Sequence, residues 1–368
     1  MTELCTKIAF SMLRGINRAN AQELLRRAGS MESIFTRSEA ELAELLGRSG
    51  GIASRRYRDS VMEQAVGEEL FVRNSQVSAC CCTDDEYPRR LHMCDDAPAL
   101  IYTLGHTPLD SMRTVAIVGT RLATPYGIET TKRIVRELAA RYDNIAIISG
   151  LAYGIDVAAH RAALAEGIPT IGVMANALNT VYPADQRDTA VRMVRAGGML
   201  ISEYPTSSRI HRGFFLARNR IVAGLADAVV VVESDIKGGA MATARIASAY
   251  NRELFAVPGR VSDLQSRGCN ELIASQAAVM LRDASDIGLA LGWPERAAEG
   301  TQGELALELS DNQKLVVDYL REHPEAGIND MCVGLGMSYS SLSSLLFELE
   351  MSELLIPVPG GRYMIANA

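Results

Sequence analysis

The sequence predicts an α/β protein built on a parallel sheet with helices on both faces, flanked by a small all-α domain and a C-terminal winged helix. Three observations carry this. Six short runs are apolar throughout (VAIVG, IAIISG, PTIGVM, GGMLIS, DAVVVVES and ELFAVPG). Strands buried on both faces read this way, whereas strands with one wet face alternate. The runs alternate with amphipathic segments beginning near Tyr126, Gly154, Pro183, Gly213 and Ala240, the rhythm of a doubly wound sheet. Glycine-bearing turns follow several of the runs and lead into the helices.

Taken in order, residues 1–66 read as short amphipathic helices with a turn at Arg14-Gly15-Ile16-Asn17, and residues 67–290 hold the sheet. Residues 291–309, rich in Glu, Gly and Ala, read as a linker. Residues 310–368 read helix, helix, helix and a hairpin around Pro359-Gly360-Gly361, the order of a winged helix.

Composition narrows the function. No apolar run approaches the roughly 20 residues that span a bilayer. Arg14 interrupts the apolar start where a signal peptide needs continuity, so a cytoplasmic protein without membrane attachment is expected. Cys80, Cys81 and Cys82 are consecutive and no C-x-x-C pair occurs, which argues for reduced thiols and against a zinc site. Net charge is −7, but residues 113–288 carry 20 basic against 16 acidic side chains, nearly all the basic ones arginine. A local anion site is therefore compatible with an acidic chain.

In an open parallel sheet, ligands bind beyond the carboxyl ends of the strands. Four stretches place anion-binding chemistry there. They are Gly119-Thr120-Arg121, the Ser149-Gly150-Leu151-Ala152-Tyr153-Gly154-Ile155-Asp156 turn, Lys237-Gly238-Gly239-Ala240, and the approach to RNRIVAGLA. The segment Ser207–Arg220 sets Arg209, Arg212, Arg218 and Arg220 around Phe214 and Phe215 in a chain only 5% aromatic. Cations tracking a backbone, with aromatic faces for unstacked bases, hold single strands without sequence readout. One of the two phenylalanines is expected to plug the core instead.

On these motifs, together with YPRRLHMCDDAPALIY, NTVYPAD, GGMLISEYP, ATARIASAYNRELFAVPG and GCNELI, the chain resembles the DNA-processing protein A family (DprA, also called Smf) over nearly its whole length. The resemblance implies an extended Rossmann-like domain that binds single-stranded DNA and helps load RecA onto it in natural transformation and recombination. It also implies a homodimer, a helix-hairpin-helix-like N-terminal domain and a C-terminal winged helix. Gly119, Thr120 and Arg121 match the family's G-S-R phosphate turn. Arg212 and Phe215 fall where the family places a basic residue and a stacking phenylalanine, and Arg218-Asn219-Arg220 matches its R-N-R. The DNA-binding set expected is Gly119, Thr120, Arg121, Ser149, Gly150, Tyr153, Arg212, Phe215, Arg218, Asn219, Arg220, Lys237, Gly238 and Gly239. Tyr153 and Ala217 stand where the family has arginine, and Lys237-Gly238-Gly239-Ala240 replaces a serine-glycine-serine turn. Gly15-Ile16-Asn17 stands where a G-x-G would let backbone approach DNA.

Two other classes compete with this reading. Asp156 and His160 lie four apart on one helix face and have the types of an acid/base pair, but a helix-start carboxylate facing a packed histidine is the favoured reading. The related nucleotide phosphoribohydrolases, however, carry P-G-G-x-G-T-x-x-E, and here Pro258-Gly259-Arg260-Val261 lacks the glutamate. A nucleotide-sensing regulator would use the same turns. No G-x-x-x-x-G-K-[ST] motif is present, so ATP turnover is not expected. The five histidines are scattered without metal-ligand spacing, and neither a metal nor a cofactor is expected. The candidate recognition helix, Ser338–Glu350, contains no basic residue, and residues 310–368 carry 3 basic against 8 acidic side chains. That domain is expected to contact protein rather than DNA.

Overall fold

Alternation along each central strand decides the layers. Val115 and Ile117 face one side of the sheet, while Ala116 and Val118 face the other, and all four are buried. A strand apolar on both faces needs a helical layer on each, and the computed structural model supplies both. It describes residues 2–47, 49–296, 310–324, 326–352, 354–358 and 361–365. These fall into two compact units, residues 1–296 and 297–368.

The first unit opens with five helices: α1 (Glu3–Ser11), α2 (Arg18–Ala28), α3 (Met31–Thr36), α4 (Glu39–Leu46) and α5 (Arg55–Arg73). Their starts are set locally. Thr2, Asn17, Ser30 and Ser38 each accept a main-chain N–H in the first turn, which satisfies donors the helix cannot pair itself. Fully buried Arg58 ties the layer together by donating to the carbonyls of Ile34, Arg37 and Ala53. The helix α5 runs through residue 66, where the sequence reading placed a boundary. Its apolar face packs into the same core as one sheet face, so no break falls there.

The sheet follows: β1 (Val77–Cys81), α6 (Arg89–His92), β2 (Leu100–Gly105), β3 (Arg113–Val118), α7 (Pro125–Arg141), β4 (Ile145–Ser149), α8 (Ile155–Ala165), β5 (Thr170–Val173), α9 (Arg187–Arg195), β6 (Met199–Ser202), α10 (Arg212–Leu225), β7 (Ala228–Val231), α11 (Gly239–Ala249), β8 (Glu253–Ala256), α12 (Arg267–Ala274), β9 (Val279–Met280) and α13 (Ala284–Leu291). Strand order is β1-β2-β6-β5-β4-β3-β7-β8-β9. From β3 the chain steps outward through β4, β5 and β6, then returns to the other side of β3 with β7. That reversal opens the crevice beyond the ends of β3 and β7.

The seven strands from β6 to β9 are parallel, but β1 and β2 are not: β2 runs antiparallel to both β1 and β6. The sequence reading missed this edge pair because β1 mixes Ser78, Ala79 and two cysteines, Cys80 and Cys81, half-exposed at its centre, and so lacks the uniform apolar run of a central strand. The faces are covered by α10 and α11 on one side and by α7, α8 and α13 on the other. No helix among the described residues is long and apolar enough to cross a membrane.

The second unit comprises α14 (Asp311–Glu322), β10 (Ala326–Gly327), α15 (Ile328–Leu335), α16 (Tyr339–Met351), β11 (Leu355–Val358) and β12 (Arg362–Ile365), with strand order β10-β12-β11. Val316, Leu320, Met331, Leu342, Leu346 and Leu355 form its own core. The order is that of a winged helix. Residues 297–309 of the expected linker, and Pro359-Gly360 of the expected wing, lie outside the described residues.

Candidate functional site

The crevice is built from its turns. Gly119 ends β3 where a Cβ would lie 2.5 Å from the Ile155 side chain, so no larger residue fits. Thr120 N–H donates to the Glu233 carbonyl at 2.7 Å, and Ile155 N–H donates to the Thr120 carbonyl at 3.2 Å. The turn is thus tied to the end of β7 and the start of α8. This leaves Arg121 exposed, its guanidinium 5.2 Å from the centre of the Phe215 ring. Phe215 projects from the first turn of α10, half-buried, and Tyr182 packs against it at a tilt of 57° with ring centres 5.6 Å apart. Arg121, Phe215 and Tyr182 form one contiguous cluster, called the platform below.

Beside the platform is a cleft of about 360 Å³. Among the expected residues, Gly119, Thr120, Arg121, Gly150, Phe215, Arg218, Asn219, Gly238 and Gly239 line it. Its far wall is the N-terminus of α11, capped by Gly238, with no acidic residue in the first turn and Lys237 exposed next to it. Helix N-termini carry unpaired N–H groups and a positive dipole end, so this wall favours an anion.

The floor is ionic but occupied. Arg218, 4% exposed, lies against Gly150 and donates to the Val173 carbonyl at 2.6 Å. Burial pushes its pKa down, and Asp156 opposes that. Burial likewise pushes the Asp156 carboxyl up, with Arg218 and the N–H groups of Ala152 and Gly150 opposing. Each charge thus opposes the burial penalty on the other. Arg218 Nε has no hydrogen-bond partner among the described residues.

Several expected contacts are not brought to the cleft surface. Ser149 is fully buried and donates to the Ile117 carbonyl at 2.6 Å, because its strand is covered on both faces. Arg218 is structural floor rather than a solvent-facing cation. Arg220 turns to the opposite side of α10 and pairs with Glu203. Tyr153 is exposed, but its hydroxyl donates to Asp185 at 2.7 Å, which raises its pKa; it faces an acidic neighbour and does not replace a guanidinium. Arg212 is exposed at the start of α10 but does not line the cleft. Phe214 is the packed phenylalanine, stacked on Tyr204 at 3.8 Å with His211 at 3.9 Å.

Asp156 and His160, weighed above as a competing acid/base pair, do not face the cleft together. His160 is fully buried, its Nδ1 bonded to Thr170 Oγ1 at 2.7 Å, and burial pushes its pKa down to about 3. No group of His, Cys, Asp or Glu among the described residues has the arrangement of a metal site. Sequence reasoning missed Tyr182. The signal was in NTVYPAD, an aromatic held next to a proline on a loop between apolar elements, 47% exposed in the structure.

Comparison with known proteins fits this geometry. The model of the DNA recombination-mediator protein A family matches residues 78–291. A DprA protein of Mycobacterium tuberculosis is 37% identical over 301 residues, covering 77% of this chain and 76% of that one. Protein Smf of Escherichia coli is 30% identical over 345 residues, covering 86% and 90%. The crystal structure of DprA from Streptococcus pneumoniae superposes with a TM-score of 0.65 at 28% identity, covering 79% of this chain and 98% of that one. A Helicobacter pylori DprA structure, described for its single-stranded DNA binding mode, superposes with a TM-score of 0.53 at 32% identity, covering 59% and 97%.

Proposed function

The chain belongs to the DNA recombination-mediator protein A family, and on that premise we propose that it binds single-stranded DNA along the crevice at the end of β3 and β7. The observation that carries the reading is the platform of Arg121, Phe215 and Tyr182 beside the anion-favouring start of α11. Bases stack on exposed rings, and cations follow the backbone, whatever the sequence. Arg121, Arg212 and Lys237 are the phosphate contacts, and Gly119, Thr120, Asn219, Gly238 and Gly239 let the strand approach. This is a binding role rather than hydrolysis: Pro258-Gly259-Arg260-Val261 offers no glutamate, and His160 is bonded within the core.

RecA is the partner onto which the bound strand is passed, in a cytoplasmic pathway of DNA uptake and recombination. The protein acts as a homodimer. Support for self-association comes from β9, the last strand of the sheet, whose Val279 and Met280 are 51% and 43% exposed. The test is titration of labelled oligo-dT, with duplex and mononucleotides as competitors. Tight binding that mononucleotides fail to displace is expected. Displacement by mononucleotides at equal concentration would instead favour a nucleotide-sensing regulator. A pull-down with RecA on single-stranded DNA tests the partner.

A further inference from the structure

Nucleotide-binding parallel sheets seat a phosphate at the N-terminus of the helix that follows the first strand. Here that helix is α7, and the seat is filled by the chain itself. Glu233, 2% exposed at the end of β7, accepts the Thr124 N–H at 2.9 Å and the Thr124 hydroxyl. A Cβ at Gly127, one turn into α7, would overlap the Glu233 carboxylate, so the helix is shaped to receive it. Pro125 removes the first helical donor, and Gly127 N–H already donates to Thr124 Oγ1 at 3.2 Å. The next helix, α8, also carries a buried carboxylate in its first turn, Asp156. Asp156 thus belongs to the first turn of α8, Glu233 reaches the start of α7 from beyond the end of β7, and α11 has no acidic side chain in its own first turn.

We propose that Glu233 is a built-in anion that closes the α7 seat to nucleotide phosphates, so that the protein selects a strand over a free mononucleotide. A mononucleotide has one phosphate group and depends on one strong seat. A strand gathers several weaker contacts on one molecule, and linked contacts reinforce one another without any single one being strong. The proposal rests on the reading of this crevice as a single-strand site, but it fails separately from that reading.

The experiment measures AMP, inorganic phosphate and labelled oligo-dT on the full chain, as wild type, E233A and E233S, with melting temperature as the check on folding. Wild type is expected to bind AMP no more tightly than inorganic phosphate, at roughly millimolar concentration. In either variant the emptied seat exposes the Thr124 N–H and the end of the α7 dipole. The ratio of AMP to oligo-dT affinity is then expected to rise about tenfold, the scale of one charge-assisted phosphate contact. A folded E233A or E233S with no rise overturns the proposal. If neither variant folds, the wild-type arm decides, since AMP binding at about 10 µM and well above phosphate is incompatible with a closed seat. Loss of oligo-dT binding in the wild type, with AMP still weak, would strike the single-strand reading and leave the closed seat standing.

Discussion

Phe215 and Phe214 are adjacent, yet helical phase separates their work. Phe214 stacks on Tyr204 and packs against His211, while Phe215 turns to the cleft under Arg121. Phe215→Ala should therefore cost about 1–3 kcal/mol of single-strand affinity with no change in melting temperature, measured by anisotropy and thermal unfolding. Unchanged affinity in a normally melting variant would place Phe215 with the core. The sequence announced that one of the pair stacks and one packs, because both sit among arginines in an aromatic-poor chain. It did not announce the fate of the arginines. Arg218 and Arg220 read as phosphate ligands, but one fills the space left by Gly150 and the other meets Glu203, just past β6; such partners come from other elements and leave no local signal. His160 gives a pH prediction. Its folded pKa, about 3, lies below the ordinary 6.5, so between these values the unfolded chain binds the extra proton. Stability must then fall on acidification through that window, by about 1.4 kcal/mol per pH unit for one proton. Denaturant titrations at pH 6 and pH 4 should show a smaller loss in His160→Gln than in wild type; an equal loss would mean His160 does not titrate as burial dictates.

At the scale of elements, the parallel strands were legible because burial on both faces leaves an unbroken apolar run, and the turn glycines because close approach admits nothing larger. The edge strands β1 and β2 were not, since pairing at an edge demands no such pattern. The C-terminal unit was legible in both the order of its elements and its charge. Its α16 carries no basic residue, and Tyr339 and Phe347 on it are 61% and 63% exposed. A helix that reads DNA is normally armed with arginine or lysine. A fragment spanning residues 305–368 should accordingly shift neither duplex nor single-stranded oligonucleotide at about 100 µM, within the range of non-specific binders. Clear binding there would reassign part of the DNA contact from the sheet to this unit.

For the whole molecule, assembly and electrostatics are the measurable properties. Exposed Val279 and Met280 on β9, with Leu289 of α13 at 77% exposed, leave apolar surface at the end of the sheet that a second copy would cover. Light scattering of the full chain at micromolar concentration should give twice the 39.8 kDa of one chain; a monomer at that concentration contradicts the homodimer. On this acidic chain, Arg121, Arg212 and Lys237 are exposed and form no ion pair among the described residues. The central claim is that these hold the backbone of a single strand, and salt dependence of oligo-dT binding tests it most directly. At roughly 0.7 per phosphate, three contacts give a log–log slope of about −2, and Arg121→Ala should reduce it to about −1.4. A slope near zero, or one that Arg121→Ala leaves unchanged, would contradict the account.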